Sequence, residues 1–210
     1  MKLSTVHTNA MAFPVEDPDR FSDAKISHAL RLPFHPALTK TAMRLDKFED
    51  LPVDTLRRYY SGLIIDVNGT LVEPEEDDLS QPVLEKLKEI RDKMPVCIFG
   101  RQLPAFYGLH IPVVKNVPAK PSKAGFDIAV YRYLQSKNRS RGLVYPDECA
   151  MVGDDFLTDG GCRQLNMKFV YVKSRNSHQG LVPRINRRIA ETIAGIHDRW
   201  RRKPTLELTR

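Results

Sequence analysis

Five unbroken apolar runs of strand length constrain the fold of this 210-residue chain more than any other feature. They occupy positions 62–67, 95–99, 112–115, 149–153 and 168–172. Runs that do not alternate with polar residues are typical of strands buried on both faces. Helical patterns lie between them, at residues 122–134 and at four spaced apolar residues: Val83, Leu87, Ile90 and Met94. This alternation predicts an α/β fold with a central parallel sheet and helices on both sides.

The chain is long enough for one well-buried domain and short for two. Residues 1–36 contain four prolines among charged residues and no sustained periodicity. We therefore predict a partly irregular N-terminal extension there, which either wraps the domain or stays mobile. We assign residues 37–203 to the domain, including a basic C-terminal helix, and residues 204–210 to a tail. At the start of the domain, residues 36–56 show a loosely helical apolar pattern.

The N-terminus lacks the continuous apolar segment of a secretory signal, and its acidic residues argue against an organellar transit peptide. No run of about 18 apolar residues is present, so no membrane-spanning helix is predicted. We therefore expect a cytoplasmic protein. Three cysteines without a CxxC pair, Cys97, Cys149 and Cys162, are expected to be reduced and buried.

The net charge of +7 is unevenly distributed along the chain. Residues 163–210 contain 12 Lys and Arg against 3 Asp and Glu, a local net charge of +9. The rest of the chain is therefore slightly acidic. Such a basic C-terminal quarter indicates an anionic partner, either lipid headgroups or nucleic acid.

Polar residues follow three of the apolar runs, where ligands bind in parallel sheets. Asp66 ends the first run and precedes Asn68, Lys120 lies in the loop after the third, and the segment VGDDFLTDGG (152–161) ends the fourth. A strand-end carboxylate can attack phosphorus and bind Mg²⁺, and further carboxylates complete an oxygen shell for that cation. A lysine offsets charge on the transferring group. The pattern therefore indicates phosphate chemistry.

Four segments resemble the haloacid dehalogenase (HAD) superfamily and, within it, the YqeG-like group related to mitochondrial phosphatidylglycerophosphate phosphatases. They are LIIDVNGTLVEP (63–74), AKPSKAGFDIA (119–129), MVGDDFLTDGGCRQLNMKFVYVK (151–173) and the basic RINRRI (184–189). The resemblance extends from about residue 36 to residue 202. It implies a three-layer Rossmann-like fold.

The resemblance also implies roles for individual residues. Asp66 would be the nucleophile that forms an aspartyl-phosphate and would also bind Mg²⁺. Asn68 would give its backbone carbonyl to the metal, and Asp154 its carboxylate. Asp159 would hold Asp154 or a metal-bound water. Lys120 would bind both Asp66 and the phosphoryl oxygens and so keep them aligned with each other.

Two positions depart from the pattern of the superfamily. Asn68 stands where its phosphatases carry a second aspartate, and an amide cannot transfer the proton that this aspartate moves. Gly100 replaces the hydroxyl residue of the phosphate-binding motif, and the neighbouring Arg101 is expected to compensate as a charged phosphate donor. Some branches of the superfamily lack the second aspartate and still use the first, so its loss restricts the reactions that are possible without proving that catalysis is absent.

The spacing of the motifs predicts that no large cap domain covers the site. Asp66 and Gly100 are 34 positions apart, and Gly100 and Lys120 are 20 apart. These intervals are too short for an inserted domain. An uncapped site suits a large phosphorylated substrate, such as a phospholipid headgroup or a macromolecule.

The C-terminal segment carries an apolar stripe at helical spacing, beside several arginines. The stripe consists of Ile185, Ile189, Ile193, Ile196 and Trp200. Two interpretations are open: the helix packs on its own sheet, or it lies on an anionic membrane surface as a peripheral contact.

Two functional hypotheses follow. The first is an Mg²⁺-dependent HAD-type phosphatase that hydrolyses phosphomonoesters through an aspartyl-phosphate, with a phospholipid such as phosphatidylglycerophosphate as substrate. The second is a catalytically weak or inactive domain that binds membrane or RNA through its basic C-terminal region. Few aromatic residues accompany the basic ones, so nucleic acid is the less favoured partner.

Overall fold

In a computed structural model, residues 23–135, 143–175 and 181–201 are described. Their centre is a five-stranded, fully parallel sheet with strand order β1-β5-β4-β2-β3. The strands are β1 (Met43–Leu45), β2 (Gly62–Ile65), β3 (Val96–Ile98), β4 (Cys149–Gly153) and β5 (Lys168–Val172). The predicted α/β class with a parallel central sheet is confirmed.

Helices cover both faces of this sheet. They are α1 (Asp23–Arg31), α2 (Val53–Tyr59), α3 (Gln81–Lys93), α4 (Pro104–Gly108), α5 (Lys123–Ile128), which continues as a π-helical turn (Ala129–Leu134), and α6 (Leu181–Arg201). Residues of α2, α3 and α4 share one buried apolar cluster, and residues of α5 and α6 share the other. The predicted three-layer, Rossmann-like arrangement is therefore present.

Strand β2 shows why its sequence run is apolar without alternation. Leu63 and Ile65 enter the cluster on one face of the sheet, while Ile64 enters the cluster on the other. All three side chains are fully buried. A central strand covered on both faces needs apolar residues at every position.

Helix α3 matches the sequence pattern that predicted it. Val83, Leu87 and Ile90 are fully buried, and the helix ends where Met94 takes an extended backbone. A proline in the first turn is compatible with the helix because the first amides have no partner within it.

Two sequence predictions of local structure were wrong. Residues 112–115 form a single bridge, between Val113 and Ile98, instead of a strand. The loosely helical pattern of residues 36–56 contains the short strand β1, in which Met43 and Leu45 flank the exposed Arg44. A three-residue element is too short for its period to be read from the sequence.

Part of the predicted N-terminal extension packs on the domain. Helix α1 buries His28, whose Nε2 donates to the Phe156 carbonyl at 3.2 Å, and Leu32 after the helix is buried in the core. Residues 1–22 of the extension and the whole predicted tail, 204–210, lie outside the described residues.

The cysteines and the membrane prediction can be compared with the structure directly. Cys97, Cys149 and Cys162 are buried free thiols, as predicted, and burial raises the pKa of Cys149 to about 12. Among the helices of the described segments, none is long and apolar enough to cross a membrane.

Helix α6 places its apolar stripe on the outside. Ile185, Ile189, Ile196 and Trp200 are exposed, and the Trp200 side chain is 70% accessible. The inward face carries the buried Ala190, Ala194 and His197 instead. Of the two interpretations of the stripe, packing on the protein's own sheet is therefore wrong for these four residues; Ile193 alone is partly buried.

Candidate active site

Two aspartates meet at the carboxyl edge of the sheet because the strands before them are paired. Asp66 follows β2, Asp154 follows β4, and β2 and β4 run parallel in direct register. The Asp66 amide donates to the Val152 carbonyl at 2.9 Å, which continues this pairing to the aspartate itself. Asp66, Asp154 and Asp159 are buried, and each offers one oxygen within 4.8 Å of the others. The three predicted metal-binding carboxylates therefore converge.

Lys120 bridges two of these aspartates. Its ammonium donates to Asp66 Oδ1 and, at 2.6 Å, to Asp159 Oδ1, and it lies 5.7 Å from the centre of the Phe99 ring. Burial alone would lower the pKa of Lys120, but the attraction of Asp159 and Asp66 outweighs burial and raises it. Lys120 therefore stays charged throughout the physiological pH range.

Asp154 has different partners on its two oxygens. Thr70 Oγ1 lies 3.4 Å from Asp154 Oδ1 and 3.5 Å from Asp66 Oδ2, so one hydroxyl spans the two aspartates. Arg187 Nη2 forms an ion pair with Asp154 Oδ2 at 2.8 Å. Burial raises the pKa of Asp154 to about 7; the charge of Arg187 opposes this rise and that of Asp66 adds to it.

Asp159 is held close against the end of β4. Its Oδ2 accepts from the Asp155 amide at 3.2 Å, and a Cβ atom at Gly153 would overlap its carboxylate. Only glycine therefore allows Asp159 this position. Burial, followed by the nearby charge of Asp66, raises the pKa of Asp159 well above its usual value, against the attraction of Lys120.

Asp155 turns away from the other acids, in agreement with its omission from the predicted ligands. Its Oδ1 accepts from the Leu157 amide at 2.8 Å, and its Oδ2 accepts from the Thr158 hydroxyl at 3.1 Å. Both oxygens therefore stabilise the turn that follows β4.

Gly100 lies directly beside the predicted nucleophile. A Cβ atom at this position would stand 3.2 Å from Asp66 Oδ1 and 3.1 Å from Val67 Cγ2. The absence of a side chain leaves room next to Asp66, but it also leaves no side-chain donor there. A phosphate-binding role for Gly100 stays a prediction.

Arg101 lies beside Asn68 and is occupied by other partners. Its Nε donates to Asn68 Oδ1 at 3.2 Å, its Nη1 to Asp77 Oδ1 at 2.5 Å and its Nη2 to the Glu76 carbonyl. The guanidinium is thus bound to the acidic loop that follows the first motif. Its predicted role as a phosphate donor, and that of the Asn68 carbonyl as a metal ligand, stay predictions.

The residues at this edge fit a divalent metal ion. Three buried carboxylates supply only oxygen donors, which is the ligand set of a hard cation. Asp154 Oδ2 has no hydrogen-bond partner among the described residues, since its contact with Arg187 is an ion pair without hydrogen-bond geometry. Like charges held this close in a buried site favour a bound cation.

No protein-family model matches the sequence, and no curated protein matches it. Among solved structures, a Vibrio cholerae protein named as a 3-deoxy-D-manno-octulosonate 8-phosphate phosphatase is similar at 14% identity and a TM-score of 0.36, over 70% of this chain and 89% of that one. The core domain of a Streptococcus pneumoniae protein named as a phosphoglycolate phosphatase is similar at 20% identity and a TM-score of 0.34, over 63% of this chain and 96% of that one. Likenesses at this level carry no information about the site.

Three residues at this edge of the sheet were not predicted as site residues from the sequence: Thr70, Gly153 and Arg187. Arg187 lies three and seven positions before Ala190 and Ala194 and so shares their inward face of α6, but the sequence does not show that this face points inward. Thr70 and Gly153 carry no sequence signal, since their importance depends on distances to side chains that are remote in sequence.

Proposed function

We propose that this protein is a metal-dependent phosphatase of the HAD type that hydrolyses phosphomonoesters through an aspartyl-phosphate at Asp66. The observation that carries the proposal is the convergence of Asp66, Asp154 and Asp159 around the charged Lys120. The motif resemblance supports the same assignment. The oxygen-only donor set favours Mg²⁺ as the cofactor, which would be held by Asp66, Asp154, Asp159 and the Asn68 carbonyl.

The reaction has two steps. A carboxylate oxygen of Asp66 bonds to phosphorus while the bond to the leaving oxygen breaks, and that oxygen departs with the electron pair. Water then attacks the phosphorus of the aspartyl-phosphate, the bond between phosphorus and the Asp66 oxygen breaks, and its electron pair restores the carboxylate. Both protons of the water remain on the released phosphate, which leaves as dihydrogen phosphate and exchanges protons with solvent. Lys120 holds Asp66 Oδ1 and offsets negative charge during both steps. A divalent cation held by Asp66, Asp154 and Asp159 would supply further positive charge to stabilise the transferring group.

Asn68 limits which leaving groups depart easily. An amide cannot protonate the leaving oxygen or take a proton from the attacking water. We therefore propose that turnover is faster for leaving groups that need no proton, such as phenolates, than for alkyl phosphates, the class that includes phosphatidylglycerophosphate.

For the natural substrate we propose a phospholipid headgroup, with phosphatidylglycerophosphate as the first candidate. Residues 66–120 are all described and contain only α3, β3 and α4 as regular helices and strands, so no inserted domain covers the site. A phosphate presented by a membrane could therefore approach from outside. The resemblance of the motifs supports this class of substrate.

We propose that α6 docks the protein on an anionic bilayer from the cytoplasmic side. Ile189, Ile196 and Trp200 point outward, and the exposed Arg188 and Arg199 flank them along the helix. An apolar face bordered by arginines, with a tryptophan at its end, is the arrangement of an interfacial helix. The local charge of +9 in residues 163–210 favours negatively charged lipid.

The experiment that tests the enzyme measures Mg²⁺-dependent phosphate release from an aryl phosphate and from phosphatidylglycerophosphate in mixed micelles. We expect Asp66→Asn to reduce release to background on both. Asp155→Asn is the matched control, because Asp155 is the neighbouring acid that faces away from the site. Equal inertness of the wild type and Asp66→Asn on both substrates would exclude catalysis.

A second candidate function is favoured by Asn68 itself. Its side chain lacks a transferable proton and is held by Arg101. A domain of this kind would bind anionic membranes or RNA through its C-terminal region without turnover. Its binding would weaken steeply with added salt, because basic residues would supply most of the affinity.

A further inference from the structure

We infer that Arg187 is a positioning residue for the candidate metal site: it holds Asp154 Oδ2 and thereby orients Oδ1 toward Asp66. This inference rests on the proposed metal-dependent function. It assigns helix α6 a part in the site, although this helix follows all five strands in the chain.

Arg187 is anchored at two points. Its Nη2 lies 2.8 Å from Asp154 Oδ2, and its Nη1 donates to the Ser174 hydroxyl. Ser174 follows β5, the strand next to β4, so both anchors belong to the same edge of the sheet. The Arg187 side chain is 15% exposed and that of Asp154 is 2% exposed. The guanidinium is therefore held in place by the fold.

The charges explain why an arginine is needed here. A buried carboxylate without a counter-ion is costly and tends to take up a proton. The two terminal nitrogens of the guanidinium divide the contacts: Nη2 pairs in charge with Asp154, while Nη1 donates a hydrogen bond to Ser174, and a single ammonium cannot do both equally well. Since Thr70 contacts Oδ1 and Arg187 contacts Oδ2, the rotation of the Asp154 carboxylate is fixed from both sides.

The contacts of α6 show that its inward face is built to hold this position. The Tyr171 hydroxyl donates to Glu191 at 2.6 Å, and Arg44 donates to Asp198 at 2.8 Å. These polar contacts, together with the buried alanines, fix the helix against β5 and β1. Mutation of a partner that orients a metal ligand typically lowers metal affinity about 10- to 100-fold.

The test measures binding of Mn²⁺, a spectroscopic substitute for Mg²⁺, from the electron paramagnetic resonance signal of the free ion. We expect Arg187→Gln to weaken Mn²⁺ binding about 10- to 100-fold. Arg187→Lys should recover part of the lost Mn²⁺ affinity, because lysine restores the positive charge but not the two terminal nitrogen donors of the guanidinium. Arg58→Gln is the matched control: it is an exposed arginine on α2, which packs on the opposite face of the sheet, and it should leave the affinity unchanged.

Each outcome bears on the inference. Tighter Mn²⁺ binding by Arg187→Gln would mean that the guanidinium takes the place of the cation, and would overturn the inference. If Arg187→Gln binds Mn²⁺ with unchanged affinity, even with a lowered melting temperature, Arg187 only stabilises the packing of α6 and the inference is overturned. The proposed phosphatase function would not be affected by this outcome. A wild-type protein that binds no Mn²⁺ would overturn both.

Discussion

At the scale of single residues, Asn68 and Arg101 form a hydrogen-bonded pair close in sequence to the proposed nucleophile Asp66. Arg101 Nε donates to Asn68 Oδ1 at 3.2 Å, while the rest of its guanidinium binds the loop at Asp77. An arginine in this position stabilises an acceptor beside it. A carboxylate placed at residue 68 would therefore be held in its charged form.

Asn68→Asp is expected to raise phosphomonoesterase activity. General acid–base help is worth about 10²–10⁴-fold, and we expect a gain near 10²-fold because Arg101 lowers the pKa of the new carboxyl. The measurement is kcat for a phosphomonoester with an alkyl leaving group, which needs the proton most. Adding Arg101→Gln should increase the gain. An Asn68→Asp protein that folds and binds Mn²⁺ but gains no activity would contradict this role of residue 68.

Four residues of the site could be predicted from the sequence because each follows a strand or lies in the loop between strands. Asp66, Lys120, Asp154 and Asp159 needed only the parallel order of the sheet to be brought together. The contribution of Arg187 could not be predicted in the same way. It depends on which face of α6 points toward the sheet. The buried alanines form that face, whereas the large apolar residues of the helix would predict a different one.

At the scale of secondary structure, α6 reverses the usual amphipathic arrangement. Ala190, Ala194 and His197 face the domain, with Ile193 partly buried, while the exposed large apolar residues face outward: Ile185, Ile189, Ile196 and Trp200. A helix that buries alanines approaches the sheet closely, while its isoleucines stay available for another surface. The opposite face of the sheet offers a comparison, since α4 there carries the exposed Tyr107.

Ile189→Glu and Trp200→Ser are each expected to weaken binding to anionic vesicles about tenfold or more. Both remove apolar area from the outward stripe, and both side chains are exposed, so the melting temperature should change little. Co-sedimentation with phosphatidylglycerol-containing and with neutral vesicles measures the effect. Tyr107→Ser is the matched control, an exposed aromatic residue on the other face. Formation of a dimer through the stripe, without vesicle binding, would contradict membrane docking.

The predictability of the fold varied with the length of each element. Strands β2 and β4 and helix α3 each contain several buried residues, so the spacing of their apolar residues predicted them from the sequence. Strand β1 has three residues and the bridge at Val113 has one, and pairing there depends on neighbours far along the chain. Such edge elements are determined by tertiary contacts more than by local propensity.

At the scale of the whole molecule, the buried acids link stability to pH. The pKa of Asp154 is raised from 3.8 to about 7, and that of Asp159 is raised in the same direction. Proton uptake therefore favours the folded state: this stabilisation is complete below the pKa of the unfolded carboxyl and is lost as the pH rises through the folded pKa.

We expect the free energy of unfolding of the metal-free protein to fall by roughly 2 to 4 kcal/mol between pH 4 and pH 7 on account of Asp154. Mg²⁺ should restore stability more at pH 8 than at pH 5, because protons and metal compete for the same oxygens. Melting temperatures with chelator and with Mg²⁺ across this range test the expectation. Asp154→Asn is the comparison, since it keeps the other titrating groups; an identical pH slope in both proteins would contradict it.

The pairing of β1 with β5 has a consequence for the order of assembly. Met43 pairs with Val170, so β1 cannot join the sheet until β5 has been synthesised. Contacts between such distant segments form slowly. Arg187 leaves the ribosome later still, when Asp66 and Asp154 have already emerged. We expect the nascent chain to bind metal tightly only once α6 has emerged and docked against β5 and β1.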